Sequence, residues 1–322
     1  MRKKSKWLAV VLCLAVFAAM AMGSGTSRTK SKKIVASADK ATSAEKSVVD
    51  QQSGETFDTE EKNTVESARK IADEVTIKEQ VLLDQDGVKI TAKGYESGGI
   101  IGDGIKLLIE NNTEKNLMVS CKALIVNDFM IDDLFATEVA AGKKVNETMD
   151  LLSSGLKDAG IETVGKVEIY FHISDSDSYD TVFDSECITI QTSAFDKMDT
   201  TPNPDNVGQE LYNADGIRIV GKTVDEDSIW GTAILLYIEN TSGKNVGINV
   251  DDMSINGFMM SPLFSTTVYD GKKAFEDITI LSSDLEENNI ETIEDVELKF
   301  HIYEADSYET ITDTEPIKFT AK

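Results

Sequence analysis

One segment of this sequence occurs twice, and the duplication limits the folds that are open to the chain. The first copy reads Val-Glu-Ile-Tyr-Phe-His-Ile over residues 167–173, and the second reads Val-Glu-Leu-Lys-Phe-His-Ile over residues 296–302. The only two histidines of the chain take the same position in both copies. Residues 80–193 align with residues 209–322 without a gap. A period far above the roughly 20–50 residues of solenoid repeats predicts two tandem domains.

Within each repeat, apolar residues alternate with polar ones. Residues 167–173 are apolar at every odd position, and residues 105–109 and 234–238 follow a similar pattern. Such alternation is typical of antiparallel sheets with one buried face. Asp-Gly pairs at 86–87 and 215–216 lie between strand-like runs and predict tight hairpin turns. About seven short strands in each unit predict an all-β fold, two tandem Greek-key immunoglobulin-like β-sandwiches.

One segment of each repeat departs from the alternation. Residues 153–161 and 282–290 both begin with Ser-Ser and reach a Gly or an Asn near the end. A serine cap followed by one or two helical turns explains this pattern. Leu156 and Leu285 would then close the end of the sandwich. We therefore expect a short crossing helix in each repeat.

The order of these elements carries a resemblance. Each repeat has an Asp-Gly hairpin, a strand ending in Ile-Glu-Asn, a Gly-Lys-Lys turn, a short helix and the Phe-His-Ile strand. Over roughly residues 75–322 this order resembles the immunoglobulin-like, telokin-like domains of exported envelope proteins of low-GC Gram-positive bacteria. The resemblance implies the fold and an envelope location, and such families mostly have no assigned activity. The chain departs from their lipoproteins because Cys13 lies inside the apolar N-terminal run, behind Leu12.

The first 23 residues have the form of an export signal. Four basic residues precede the uncharged run 7–22, and small residues follow it. The run is slightly shorter than the roughly 20 apolar residues of a membrane span, so an uncleaved anchor is the alternative. We expect a protein that is secreted or held at the extracellular face of a bacterial membrane.

The remaining boundaries follow from composition. Residues 24–57 contain few large apolar side chains and predict a disordered linker. Residues 58–79 carry apolar positions at helical spacing and predict a short amphipathic helix and lead-in to repeat 1, residues 80–193. Residues 194–208 hold two prolines and predict a partly stiff linker before repeat 2, residues 209–322. The first linker would attract anionic lipid headgroups or wall polymers through its basic residues, Arg28, Lys30, Lys32 and Lys33.

The charge of the chain argues against a nucleic acid partner, and its cysteines argue against a disulfide. The net charge is −25, with the excess of acidic residues in the two repeats, so a nucleic acid partner is excluded by repulsion from phosphate. Outside the signal segment the cysteines are Cys121 and Cys187. Strand parity places them on opposite faces, and the second repeat has Val250 and Pro316 instead. We therefore expect no disulfide.

The candidate chemical groups do not assemble into a recognisable set. His172 and His301 fall on the outward parity of a strand with no second ligand at metal-binding spacing, which predicts an imidazole that faces solvent or pairs across strands. A pH-sensitive contact between the domains is the functional alternative. The acidic turns around Asp177 and Asp306 lack the EF-hand pattern, and calcium binding there is left open. Trp230 falls on the same side of its strand as Ile234, which predicts that it packs in the core rather than stacking on a sugar. No catalytic, cofactor or metal residues are assigned.

These observations predict an exported, non-catalytic protein that binds a protein or wall-polymer partner through its duplicated domains. A structural spacer without a specific ligand is one alternative, and a metal- or sugar-binding accessory module is another. The sequence leaves the oligomeric state open. If the repeats share a binding face, it contains four residues of the duplicated strand: Glu168, His172, Glu297 and His301.

Overall fold

The computed structural model describes residues 31–35, 75–201, 208–228 and 231–321. The predicted signal segment, nearly all of the predicted amphipathic helix, the two linker prolines and Trp230 lie outside the described residues. Strand β1 spans Ser31–Val35. Within the described parts of the chain, no helix has the length and apolar character needed to cross a membrane.

The first repeat is a β-sandwich, as predicted. Sheet one has the order β2-β3-β4-β8, and sheet two places β5 between β7 and β9, with β10 and β11 along the outer edge of β9. Strand β6 pairs back on the end of β5. The strands are β2 (Gln80–Gln85), β3 (Val88–Glu96), β4 (Gly102–Asn111), β5 (Leu117–Val126), β6 (Phe129–Ile131), β7 (Ala136–Val139), β8 (Lys144–Leu152), β9 (Lys166–Asp175), β10 (Thr181–Asp184) and β11 (Ile188–Gln191).

The second repeat has the same topology. Its first sheet contains β12, β13, β14 and β18, and its second contains β17, β15 and β19 with β20 and β21 on the outer edge. The strands are β12 (Gln209–Ala214), β13 (Ile217–Ser228), β14 (Gly231–Asn240), β15 (Val246–Ile255), β16 (Phe258–Met259), β17 (Ser265–Val268), β18 (Lys273–Leu281), β19 (Asp295–Glu304), β20 (Thr310–Asp313) and β21 (Ile317–Ala321).

Each repeat thus has more strands than the roughly seven that are typical of this class, because several are only two to five residues long. One of the long sheet edges is completed by two short strands: β10 and β11 both lie along β9. The all-β, immunoglobulin-like fold class is confirmed.

Within residues 24–57, which the sequence predicts to be a disordered linker, the described residues 31–35 form strand β1. Strand β12 pairs with β13 only as far as Gly221. Strand β1 pairs with the same edge of β13 further on, at residues 223–225 of β13. The end of β1 then pairs with β21 at residues 320–321. An unpaired strand edge exposes hydrogen-bonding groups, so a short extended segment is stabilised there even without a strong sequence signal.

The hairpin turns have the left-handed backbone that their residues favour. Asp86 and Gly87 have φ of 48° and 83°, and Asp215 and Gly216 have 55° and 76°. Two consecutive residues with positive φ define the turn whose twist matches paired strands. The predicted hairpins are therefore confirmed.

The shared Ile-Glu-Asn motif has a structural explanation. The side chain of Asn111 is buried, and its Nδ2 donates to the carbonyl oxygens of Lys115 and Val139 at 2.8 Å each. In repeat 2 Asn240 donates to Lys244 and to the residue equivalent to Val139 in the same way. A buried amide that satisfies otherwise unpaired carbonyl groups holds the loop after the strand.

The short helices α1 (Ser153–Asp158) and α2 (Ser282–Glu287) are present as predicted, but the expected serine cap is wrong. The N-cap residue is a leucine in each case, Leu152 and Leu281, with no side-chain cap hydrogen bond, because strands β8 and β18 run directly into the helices. The expected ends are confirmed by positive φ at Gly160 (70°) and Asn289 (54°). Leu156 is buried against the core of repeat 1.

Each sandwich has its own core. The odd positions of 167–173 are fully buried in repeat 1, and their counterparts at 296–302 are buried in repeat 2. The alternation fails at β14, where every residue but one is buried, although its counterpart β4 has exposed and half-buried outward positions. The outer face of the first sheet of repeat 2 is therefore covered, and repeat 1 covers it at Val220, Tyr237 and Phe275.

Candidate functional site

The two histidines form equivalent cross-strand pairs. Nδ1 of His172 lies 2.6 Å from Oδ1 of Asp184, and Nδ1 of His301 lies 2.6 Å from Oδ1 of Asp313. Burial opposes ionisation of Asp184, but hydrogen bonds from Lys122 and His172 outweigh it and hold the pKa of the carboxyl below its usual range. Among the described residues, no group of three or more His, Cys, Asp or Glu side chains is arranged to hold a metal ion.

The acidic turn of repeat 1 is held by hydrogen bonds of its own. Oδ1 of Asp175 accepts the backbone N–H groups of Asp177 (3.0 Å) and Ser178 (3.3 Å), while Lys115 lies 2.9 Å from Oδ2. Asp175 therefore caps this turn, while the side chain of Asp177 is exposed. Asp306 is exposed at the corresponding place in repeat 2. Lys115 therefore pairs with the carboxylate that holds this turn.

The two cysteines, Cys121 and Cys187, are free thiols that differ in burial. Cys121 is half-buried against the core of repeat 1, and Cys187 is exposed. Burial raises the pKa of the Cys121 thiol well above its usual value, helped by the charge of Asp133. A thiol that stays protonated is a poor nucleophile.

The contact between the two repeats combines backbone pairing, stacked aromatic rings and ion pairs. It begins with backbone pairing: β6 of repeat 1 lies parallel to β18 of repeat 2, with Phe129 opposite Lys273 and Met130 opposite Ala274. The Lys273 N–H donates to the carbonyl oxygen of Asp128 at 3.0 Å. The second sheet of one sandwich is thereby joined to the first sheet of the other.

Aromatic side chains fill this junction. Phe129 is fully buried and stacks on Phe275 at 6.0 Å between ring centroids, and Phe275 in turn lies 5.3 Å from Tyr237. The Nζ of Lys273 lies 5.4 Å from the centre of the Phe129 ring, a cation–π distance. Tyr237 of repeat 2 is buried against the core of repeat 1. The two hydrophobic cores are therefore linked through these rings.

An ion-pair network borders the aromatic contact. Nζ of Lys272 lies 2.9 Å from Asp128 and 2.6 Å from Glu168, and Lys166 pairs with the same two carboxylates. The side chains of Lys272 and Glu168 are only 15% and 13% exposed, so solvent screens this network less than an ordinary surface pair. Burial opposes ionisation of Asp128, but the two lysines outweigh it and lower the pKa of its carboxyl.

Glu168 of the predicted shared face thus takes part in the contact between the repeats. Its neighbour Tyr170 lies on the same side of β9, with its ring 4.9 Å edge-on to Tyr269 of repeat 2. In repeat 2, Glu297 and His301 of the predicted shared face are half-buried and pair with Lys318 and Asp313 of the same repeat. The two copies of the face are therefore in different environments.

The same asymmetry leaves an apolar strand edge uncovered on repeat 2. The counterparts of Phe129 and Met130 are Phe258 and Met259. Phe129 is 0% exposed, whereas Phe258 is 47% and Met259 66% exposed. Strand β16, which carries them, pairs only with β15 in the described chain. We call β16 with these two side chains the apolar edge.

The sequence contains a signal for this contact that the alternation of apolar residues did not reveal. At two outward positions of the first sheet, repeat 2 has large apolar residues where repeat 1 has the polar Lys106 and Asn146, and at a third it has a tyrosine where repeat 1 has Leu108. An outward face that is apolar in only one of two duplicated domains indicates a surface covered in that domain alone. The residues concerned are Leu235, Tyr237 and Phe275.

Carboxyl groups from both repeats face each other at the rim of the junction. Burial, together with the negative charge of Asp132, raises the pKa of Glu276 on β18 to about 8. Burial also raises the pKa of Asp133 to about 6. The Thr266 hydroxyl donates to Oε1 of Glu276 at 3.1 Å. The docked arrangement therefore favours protonated carboxyl groups at this rim.

We expect the protein to lose stability as the pH rises. A carboxyl group with a raised pKa binds more protons in the folded state, so its contribution is complete below the unfolded pKa of Glu276, 4.5, and is lost as the pH passes its folded pKa of about 8. Because Glu276 keeps some contact with solvent, we expect a loss of about 1–2 kcal/mol between about pH 5 and pH 9. Thermal unfolding followed by circular dichroism measures this loss.

The variant Glu276→Gln should flatten this pH profile. The matched control is Glu147→Gln, at the equivalent position of repeat 1, which lies in an uncovered sheet and should keep the wild-type profile. Profiles of equal slope for the wild type and Glu276→Gln would show that this carboxyl group does not cause the effect.

Comparisons with known proteins add little to this description. No protein-family model matches the chain, and no curated protein sequence matches it. Among solved structures the chain is similar to the Salmonella enterica SafA pilin in complex with the SafB chaperone (Type I), with 9% sequence identity and a TM-score of 0.23. The match covers 74% of this chain and 98% of that chain. At this TM-score the likeness carries no argument about function, and the fold assignment rests on the strand pairings described above.

Proposed function

We propose that this chain is an exported, non-catalytic protein of the bacterial surface or medium that binds a partner through the apolar edge of its second repeat. The signal-like N-terminus and the resemblance to telokin-like envelope domains support the location. The half-buried histidines, each paired with an aspartate, and the protonated Cys121 thiol support a role in binding rather than catalysis.

The exposure of Phe258 and Met259 is the observation that carries the proposal. Repeat 1 uses the same two positions to form the contact with repeat 2, so the fold is able to bind a protein surface there. A strand edge offers unpaired backbone groups together with apolar side chains, and both are features that an extended protein segment recognises. A protein partner therefore fits this edge better than a wall polymer.

A structural spacer is the second candidate, and the junction between the repeats favours it. Strand pairing, stacked rings and the Lys272 network hold the two sandwiches together. Such a joint would keep the domains at a fixed angle and hold a distal surface away from the membrane. The spacer alternative requires no partner at the apolar edge.

Capture from envelope extracts separates the two candidates. The purified protein should retain a partner, and the double variant Phe258→Asp, Met259→Asp should lose at least nine-tenths of it, because two charges would be placed in the contact. The matched control is Ile100→Asp, a change at another fully exposed apolar side chain. Equal retention by the wild type and the double variant would contradict the proposal, and the absence of any retained partner would favour a spacer.

A further inference from the structure

Each end of the molecule keeps one half of the contact between the repeats. At one end is the apolar edge, the counterpart of Phe129 and Met130. At the other end is β8, the counterpart of β18 in repeat 1. Strand β18 lies between β14 and β6, but in the described chain β8 pairs with β4 alone. Among the described residues, complementary surfaces of one contact therefore lie unpaired in the two repeats.

We propose that a second copy of this chain fills them, with the apolar edge of one copy docking beside β8 of the next. The new contact would repeat the parallel arrangement of β6 and β18. This inference rests on the proposed function, since it names the partner of the apolar edge.

The lysines of the receiving strand support the proposal. The Gly-Lys-Lys turn occurs in both repeats, at residues 142–144 and 271–273. In repeat 2 both lysines serve the contact: Lys272 pairs with Asp128 and Glu168, and Lys273 lies over a phenyl ring. In repeat 1 their counterparts are exposed. We call Lys143 and Lys144 the lysine edge; Lys144 would lie over Phe258 as Lys273 lies over Phe129.

The charges beside the two free surfaces are complementary. Asp295 and Glu297, next to the apolar edge, occupy the positions of Lys166 and Glu168 in repeat 1. Lys143, the counterpart of Lys272, would therefore meet two carboxylates. At present Glu297 pairs with Lys318 at 2.6 Å, but that lysine is 76% exposed, and a pair of this kind contributes little stability that docking would have to replace.

The contact between copies would be weaker than the one within the chain. The receiving face of repeat 1 has Asn146 and Leu108 where repeat 2 has Phe275 and Tyr237. Less aromatic area is available for burial, so association should depend on concentration. Because the two surfaces differ, the contact is head-to-tail and would continue into open chains unless its rotation closes a ring.

Sedimentation velocity measures the size of the species formed and tests the proposal. The wild type and two variants are compared, all without residues 1–23. The apolar-edge variant is Phe258→Asp, Met259→Asp, and the lysine-edge variant is Lys143→Glu, Lys144→Glu. The wild type should form species larger than a dimer as its concentration rises. Each variant alone should associate at least tenfold more weakly, because one of its two surfaces is lost. An equimolar mixture should form dimers and stop there, since it contains one intact pair of surfaces per two copies.

All four altered side chains are exposed, so both variants should fold; their thermal midpoints and the Ile100→Asp control check this. A wild type that stays monomeric at every concentration, or a mixture that forms nothing larger than the separate variants, would overturn the self-association. If such a monomer still captures a different envelope partner through Phe258, only this inference fails and the proposed function stands. If it captures none, both fail.

Discussion

Replacing Phe129 with alanine should lower the free energy of unfolding by about 3–4 kcal/mol, the usual cost of removing a fully buried phenyl group. The ring is 0% exposed, it stacks on Phe275, and Lys273 lies over it, so its loss leaves a cavity that the paired strands β6 and β18 prevent from closing. The junction should also weaken, so the two repeats should begin to unfold in separate transitions. Urea unfolding monitored by circular dichroism, together with calorimetry, measures both effects.

The duplicated chain supplies a matched control for this experiment. Phe258→Ala makes the same change at the same position of repeat 2, where the ring is 47% exposed. It should cost no more than about 0.5 kcal/mol, as exposed substitutions away from special features do. Equal losses for the two variants would mean that Phe129 is not held by a junction of the kind described.

Replacing Gly231 with alanine should destabilise the second repeat by about 3 kcal/mol or more, because both the backbone and the space around it exclude a side chain. Its φ is +139°, and a Cβ atom would lie 2.0 Å from the carbonyl oxygen of Ile280 on β18. Strand β14 begins at this residue, and its partner β18 could accommodate the methyl group only by moving away. Chemical unfolding of the purified variant measures the loss.

Gly243→Ala separates the two causes. Its φ of +81° also disfavours a side chain, but no atom lies within 4 Å of the added Cβ, so only the conformational cost of about 1–2 kcal/mol should remain. Gly102 repeats the geometry of Gly231 in the first repeat, with φ of +151° and a Cβ position 2.0 Å from the carbonyl oxygen of Leu151. If Gly231→Ala and Gly243→Ala cost the same, the close approach of the strands contributes nothing.

The sequence was sufficient for most of the fold because the fold depends on short-range patterns. The alternation at 167–173, the Asp-Gly turns and the leucine of the crossing helix each specify a local feature, and the second repeat provides an independent copy of each. The glycines at 102 and 231 each stand at the first position of a strand. Their close contacts come from strands more than 40 residues away, which no local pattern contains.

The junction between the repeats was not predicted, for a related physical reason. Alternation separates inward from outward positions, but it does not tell whether an outward face is covered by another domain. Parity alone places Tyr237 and Phe275 on the outward face, although both lie against repeat 1. A position-by-position comparison of the outward residues of the two repeats contains the missing information, since duplicated domains in equal environments have no reason to differ there.

The junction also makes the order of the two halves irreversible. Duplication of a gene yields interchangeable halves, and genetic exchange between them can then delete, add or reverse a unit without harm. Tyr237 and Phe275 occur in one half only. In a chain with the halves reversed, Asn146 would therefore face Phe258 at the junction. Phe129 would be exposed at one end, and Tyr237 and Phe275 at the other. Such a product would expose apolar patches that promote aggregation. Loss of either half would have the same result, so this pair of domains would be inherited as a single unit.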